Sequence, residues 1–174
     1  MFEKKDYVIR INGLKNGEND FQILIDRKLF EEFECEEAQD VDIKLSMRVT
    51  KTEKMIKIDF SFVGNMQLTC GRCLSLIPFE INKQTNLYIK FGEKREEVDA
   101  EQWIVPEGEN EIDLLSYIYE ELRIEIPISP VHEDEKDCDQ EMLNRLKTNN
   151  SSDEKGEDEI NPIWEKLKEL KIKQ

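Results

Sequence analysis

The sequence is poor in the residues and motifs that most enzymes use for chemistry. Its 174 residues include one histidine, four cysteines and seven glycines. It has no glycine-rich phosphate-binding loop, no HExxH helix motif and no GxSxG nucleophile elbow. A hydrolase or a nucleotide-driven enzyme is therefore a poor interpretation, and we expect a non-enzymatic protein with no catalytic residues.

Long apolar runs are also missing. No stretch approaches the ~18 apolar residues needed to cross a bilayer, and the first residues, MFEKKDYVIR, lack the apolar core of a secretory signal. We therefore expect a cytoplasmic protein without membrane contact. Thiols stay reduced in that compartment, so the four cysteines favour metal binding, redox chemistry or plain burial over disulfides.

Positive charge is scarce overall but concentrated in one region. The 25 basic side chains stand against 40 acidic ones, which gives a formal net charge of -15. Such a balance disfavours nucleic-acid contact, because that affinity rests largely on phosphate neutralisation. However, residues 41–95 carry 10 basic and 5 acidic side chains, whereas residues 96–174 carry 9 and 24. Any RNA contact is therefore expected in the basic middle of the chain.

Alternation of apolar and polar residues predicts strands in this middle region. Every second residue is apolar from Val41 to Val49 and from Ile56 to Phe62, a period typical of strands with one buried face. The polar KTEK segment between them favours a hairpin, and Gly64 with Asn65 predicts a break. Further strand pieces are expected at 7–11, 21–25, 66–70, 79–81 and 87–91.

A helix is expected after Asp113, a residue type that caps helix N-termini. Leu115, Ile118 and Leu122 then recur with helical spacing, so one helix face can cover the sheet. The predicted fold class is α+β: an antiparallel sheet, as a meander or a partly open barrel, covered by one or two helices. The predicted domain spans residues 1–146.

The end of the chain has a different composition. Residues 147–159 contain no apolar side chain and cannot offset their ordering entropy by burial, so residues 147–160 are expected to form a disordered acidic linker. Residues 161–174 form an amphipathic motif that either recruits a partner or packs on its own domain. Its candidate partner-binding residues are Pro162, Trp164, Leu167 and Leu170.

The strongest local motif is CGRC, in which Cys70 and Cys73 can converge on one tetrahedral metal ion. His132 and Cys138 would complete a Cys3His set suited to zinc, the one cofactor that the sequence suggests. The HxxxxxC spacing is not standard for zinc sites. Buried or idle thiols, and a redox pair activated by Arg72, therefore stay open as alternatives.

A set of basic side chains in the middle of the chain could contact RNA phosphates. The alternative is that they are the ordinary polar face of a half-exposed sheet, because few aromatic side chains are available there to stack on bases. The candidate RNA-binding residues are Lys44, Arg48, Lys51, Lys54, Lys57 and Arg72.

Four motifs in order give the chain a family resemblance: LTCGRCLSLIPFEI, then IDLLSYIYEELRIEIPISPVH, then a downstream cysteine, then NPIWEKLKELK. Together they resemble the YceD family, the large ribosomal RNA subunit accumulation proteins. The resemblance implies a non-enzymatic bacterial factor that supports synthesis, processing or accumulation of 23S rRNA and assembly of the large ribosomal subunit.

Partners follow from the same resemblance: 23S rRNA or its precursor, large-subunit ribosomal proteins, or both, with no small-molecule substrate. Some members of the family carry a second cysteine pair where this chain has His132 and Cys138. Two alternatives remain beside the rRNA factor. One is a zinc-stabilised protein-interaction adaptor without RNA contact, and the other is a thiol-based redox protein.

Overall fold

A computed structural model describes residues 4–153. The chain divides into two compact units, the first ending at His132 and the second beginning at Glu133. Among the residues described, no helix is long and apolar enough to span a membrane.

The first unit is built mainly from strands. Its strands are β1 (Val8–Arg10), β2 (Gly17–Asp26), β3 (Ala38–Lys51), β4 (Met55–Thr69), β5 (Leu76–Gly92), β6 (Glu96–Asp99), β7 (Gln102–Pro106) and β8 (Glu111–Asp113). Its helices are α1 (Arg27–Glu32) and α2 (Leu115–Arg123). The order β2-β3-β4-β5-β7-β6 forms a six-stranded sheet, and β1 pairs with β8 in a separate two-stranded sheet.

This architecture confirms the predicted α+β class with a largely antiparallel sheet. One pairing differs, because β5 and β7 run parallel, so the sheet is mixed and its last strands do not continue a simple meander. Within the described residues the sheet stays open and does not close into a barrel. The open form leaves two edge strands, β2 and β6.

The core lies on one face of β3, β4 and β5. The predicted alternation of buried and exposed side chains is present in β3, where Ile43, Leu45 and Val49 are fully buried. Their neighbours on β4 include Ile58 and Phe62, which are also buried. Because side chains of a strand alternate between faces, the polar residues between them lie on the opposite, solvent-facing side. The predicted hairpin of β3 and β4 is confirmed.

The predicted break at Gly64 and Asn65 is wrong, because β4 runs through both residues. Opposite them, β3 has an irregular register between Gln39 and Asp42. A Cβ on Gly64 would lie 2.1 Å from the Asp42 carbonyl oxygen, so glycine here permits a close backbone approach at a β-bulge. The two strand pieces expected at 79–81 and 87–91 likewise belong to the single strand β5.

Helix α2 covers the core face, as predicted. Tyr117 packs with its ring centroid 5.1 Å from that of Phe60 and 5.7 Å from that of Trp103. The cap differs slightly from the prediction: Leu114 occupies the N-cap position. The Asp113 carboxylate nevertheless accepts a hydrogen bond of 2.9 Å from the Leu115 backbone N–H, which is the interaction expected of a capping aspartate.

The second unit contains a 3-10 turn (Glu135–Asp137) and helix α3 (Gln140–Asp153). The Asp139 carboxylate accepts hydrogen bonds from the backbone N–H groups of Glu141 and Met142, which fixes the start of α3. The helix includes residues 147–153, which are the first part of the predicted disordered linker. Residues 154–160 lie outside the described part.

Candidate metal centre

The turn between β4 and β5 presents the CGRC motif. The Cys70 backbone N–H donates to the Ser75 carbonyl at 2.8 Å, and the Leu74 N–H donates to the Cys70 carbonyl at 3.0 Å. Leu74 adopts a positive φ of 62°, a conformation that bulky residues rarely take. These contacts close the turn so that both cysteine side chains are buried at the end of the hairpin.

Backbone hydrogen bonds bring the segment that carries His132 beside this turn. The Gly71 N–H donates to the Pro130 carbonyl at 2.8 Å, and the Arg72 guanidinium donates to the His132 carbonyl at 3.1 Å. A Cβ on Gly71 would lie 3.2 Å from Ser129 Oγ, which is tighter than ordinary contact. Residues 59 or more positions apart in sequence are therefore joined by one backbone–backbone and one side-chain–backbone hydrogen bond.

The donor atoms of the first unit converge at distances that suit a metal ion. His132 Nδ1 lies 3.3 Å from Cys70 Sγ and 3.7 Å from Cys73 Sγ. Tetrahedral zinc with bonds of about 2.0 to 2.3 Å separates its ligand atoms by about 3.3 to 3.8 Å. Cys70, Cys73 and His132 therefore place three ligand atoms of the first unit close enough together to bind one metal ion. Cys138, the fourth predicted ligand, belongs to the second unit.

The environment of Cys70 favours its thiolate form. Burial alone raises the pKa of the Cys70 thiol, but backbone hydrogen bonds from Cys73, Arg72 and His132 outweigh burial and lower the pKa to about 6. A thiolate is the form of cysteine that binds metals. The turn therefore prepares Cys70 as a ligand at neutral pH.

Ser75 is a neighbour of the site that the sequence interpretation missed. Its Oγ lies 3.0 Å from Cys73 Sγ, at hydrogen-bond distance. A hydroxyl so close to a thiolate can hold the sulfur in place, as outer-shell groups do for metal ligands. The sequence signal was its position two residues after the second cysteine of the motif.

The structure does not gather the six candidate RNA-binding residues on one surface. Lys44 and Arg48 lie on the solvent-facing side of β3, and Lys57 on that of β4. Lys54 precedes β4, whereas Arg72 follows it. A strand of that length separates its ends by tens of ångströms, at about 3.3 Å per residue.

Several of these basic side chains already have local partners. Arg48 lies 3.1 Å from the Asp20 carboxylate and Lys57 lies 2.7 Å from that of Asp59. Lys51 donates to the Ile11 carbonyl at 2.9 Å. Among the residues that the structure describes, Lys44 and Lys54 form no ion pair. The other candidate set, Pro162, Trp164, Leu167 and Leu170, lies outside the described residues.

The fold and the site define a small α+β protein in which two buried cysteines and a half-buried histidine, close enough together to bind a metal ion, lie at a hairpin turn of an open sheet. A family model described as "Large ribosomal RNA subunit accumulation protein YceD" matches residues 58–171. That match covers more than half of the chain, so the chain belongs to the YceD family. Searches among curated proteins and among solved structures gave no match.

Proposed function

We propose that this protein is a non-enzymatic factor that supports the synthesis, processing or accumulation of 23S rRNA and the assembly of the large ribosomal subunit. The observation that carries the proposal is the family match over residues 58–171, which includes the CGRC turn, helix α2 and His132. The description of the family links it to the RNA of the large subunit and gives it no reaction.

In this proposal the cysteine and histidine cluster has a structural role, with zinc as the metal. Cys70, Cys73, His132 and Cys138 would hold the ion, which supplies a cross-link between the β4–β5 turn and the segment that follows the proline turn. The chain's own hydrogen bonds, from Gly71 and Arg72 to that segment, already set its position. The metal would therefore lock a surface that the backbone has arranged.

We favour action through proteins over extensive direct contact with RNA. The observation behind this choice is the pairing of Arg48 and Lys57 with carboxylates, since a paired cation gains less from a phosphate than an unpaired one. The formal net charge of -15 also favours cationic partners through electrostatic steering. The zinc-stabilised adaptor without RNA contact is thus the second candidate, and ribosomal proteins of the large subunit are its expected partners.

Depletion of the protein in its own host tests the proposed function. We expect the ratio of 23S to 16S rRNA to fall, and the wild-type gene to restore it when supplied in trans. Quantification of total RNA by electrophoresis measures the ratio. An unchanged ratio after complete depletion would refute the proposal.

In-cell ultraviolet crosslinking, with sequencing of the RNA that co-purifies, separates direct RNA contact from the adaptor mode. Enrichment of one region of precursor 23S rRNA over an untagged control establishes direct contact. If Lys44→Glu with Lys54→Glu leaves that enrichment unchanged, the basic set does not carry it. No enrichment, together with a reduced rRNA ratio after depletion, identifies the adaptor mode.

A further inference from the structure

The two edges of the six-stranded sheet differ in how they are protected. Edge strands are usually short, bulged, or supplied with lysine or proline, because an open row of backbone groups can pair with another chain. Strand β6 follows this rule: it has four residues and an irregular register between Glu97 and Asp99. Strand β2 does not follow it, since it has ten residues, a continuous register with β3, no lysine and no proline.

The outer edge of β2 is open within the described part of the chain. There, β3 is the one strand that pairs with β2, and no backbone hydrogen bond from a turn or loop reaches β2. In a strand, alternate residues direct their backbone N–H and C=O groups to either side. The outer edge of β2 therefore presents a row of donors and acceptors to solvent.

A small apolar pocket lies beside this edge on the inner face of the sheet. Its volume is about 260 Å³, which is enough for one or two aliphatic side chains. The Phe21 side chain lines the pocket and is 37% exposed. The other apolar lining residues are Val8, Ile9, Leu14, Ile23 and Met47.

On the outer face, β2 carries negative charge. Glu18, Asp20 and Asp26 are its charged residues, and it has no basic residue. Arg48 is a single cation beside two of these carboxylates, 3.1 Å from Asp20 and 3.9 Å from Glu18, so an excess of negative charge stays at this end of the edge. At the other end, Lys28 lies 3.9 Å from the Asp26 carboxylate, and Lys44 of β3 lies beside Leu24.

We propose that the outer edge of β2 binds an extended, cationic segment of a partner protein as a seventh strand. Side chains in one row of a sheet point to the same face. A segment in which apolar and basic residues alternate would place an apolar side chain in the pocket and its lysines or arginines beside Glu18 and Asp20. This inference rests on the adaptor form of the proposed function and gives the chemistry of its partner.

A second copy of this chain fits the edge less well. An antiparallel β2–β2 pair centred on Gln22 would set Glu18 of one copy opposite Asp26 of the other. Like charges directly opposite each other destabilise a strand pair. The charge of the edge therefore selects a basic partner over self-association.

Binding of a defined probe to the purified full chain tests the proposal. The probe is a short capped peptide in which lysine and valine alternate, and the control peptide has proline in place of its central valine. We expect the probe to bind, to slow amide hydrogen exchange in β2, and to bind at least about tenfold more tightly than the control, because proline removes a ladder hydrogen bond.

Substitutions locate the binding surface. Phe21→Lys should weaken binding about tenfold, because it places a cation at the pocket, whereas Val63→Lys, on the central strand β4 and 52% exposed, should leave affinity unchanged. Glu18→Lys with Asp20→Lys should reduce affinity for the lysine peptide and create affinity for a glutamate–valine peptide. Unchanged melting temperatures show that each variant is folded.

Several results would overturn the proposal. These are equal binding of the probe and the proline control, exchange protection confined to other strands, or concentration-dependent self-association that Phe21→Lys abolishes. A fourth is tighter probe binding after removal of residues 154–174, since the chain's own end would then occupy the edge. The peptide-binding assay contains no RNA. A negative result there would therefore not affect the proposed function, which the rRNA ratio tests separately.

Discussion

The sulfur atoms of two buried cysteines, Cys70 and Cys73, lie 3.3 Å and 3.7 Å from the Nδ1 atom of His132. Since zinc prefers thiolate and imidazole in a tetrahedral set, we expect about one zinc ion per chain after purification without chelator. Cys70→Ser should remove most of it. Mass spectrometry for metals, at known protein concentration, measures the stoichiometry.

The matched control is Cys35→Ser, which changes a cysteine outside the metal group and should keep the zinc. A metal content near zero in the wild-type protein, under reducing conditions, would argue for inert thiols instead. Equal zinc in the Cys70→Ser variant would place the metal at some other site.

Gly64 is the residue at which the backbone of β4 comes closest to β3. A Cβ there would lie 2.1 Å from the Asp42 carbonyl oxygen and 2.6 Å from the Ile43 Cα, so Gly64→Ala must push the two strands apart. We expect the free energy of unfolding to fall by about 2 to 4 kcal/mol. Chemical denaturation measures it, with Gly13→Ala as control because its Cβ would be 3.9 Å from the nearest atom.

Two buried tyrosines predict a loss of stability in alkali. Burial is the main cause that raises the pKa of Tyr7 and of Tyr117 from 10.0 to about 12. A raised pKa in the folded state stabilises the protein below the unfolded pKa, and this contribution disappears as pH rises from 10.0 to about 12. The free energy of unfolding should therefore drop across that window.

Denaturation at several pH values checks this dependence, and Tyr117→Phe should show a shallower drop than the wild type. The Tyr117 hydroxyl lies 3.4 Å from Thr85 Oγ1 and from the Asn86 carbonyl oxygen, so its replacement removes weak contacts as well. An identical pH profile for both proteins would show that Tyr117 does not titrate on unfolding in this range.

At the scale of elements, Lys83 connects β5 to α2. Its ammonium lies 2.8 Å from the Glu121 carboxylate and 3.1 Å from that of Glu125, and it donates to the Glu121 carbonyl at 2.9 Å. The Lys83 and Glu121 side chains are 13% and 12% exposed. Because removal of one partner leaves a largely desolvated charge behind, the pair matters more than a surface ion pair.

We expect Lys83→Met to lower the free energy of unfolding by about 2 kcal/mol. Arg145→Met removes an exposed ion pair with Glu141 in α3 and should cost less than about 0.5 kcal/mol. The double variant Lys83→Met with Glu121→Leu should recover part of the loss, because no unpaired carboxylate is left. Additivity of the two single changes would contradict this coupling.

At the scale of the whole molecule, the core of the first unit does not depend on the metal group. Its fully buried side chains come from β3, β4, β5 and the elements packed on them, and include Leu45, Phe62 and Leu87. A core of this kind differs from a zinc finger, in which the metal supplies the folding energy. We therefore expect the sheet to persist when the metal is removed.

Far-ultraviolet circular dichroism with and without a strong chelator measures this outcome, and a thermal melt should show a lower but still cooperative transition. The Cys70→Ser variant, without chelator, should match the chelated wild type. Loss of the β-sheet signal on chelation would show that the metal is required for the fold.

The local features of this protein could be predicted from the pattern of residue types along the chain. Strict alternation predicted β3 and the hairpin with β4, and helical spacing predicted α2, because each of these patterns follows from the period of one backbone conformation. The CGRC motif predicted a site at Cys70 and Cys73, because two cysteines so close in sequence lie within one turn. The family motifs, too, are contiguous stretches of chain.

Features that join distant segments could not be predicted in this way and depend on the three-dimensional fold. The fold carried β4 through Gly64, because the bulge in β3 lies opposite. It ran β7 parallel to β5, and it placed His132 beside Cys70. It also paired Arg48 with Asp20. Each of these results depends on close approach between segments that are distant in sequence. A pattern of residue types along the chain does not specify which remote segment a given residue will contact.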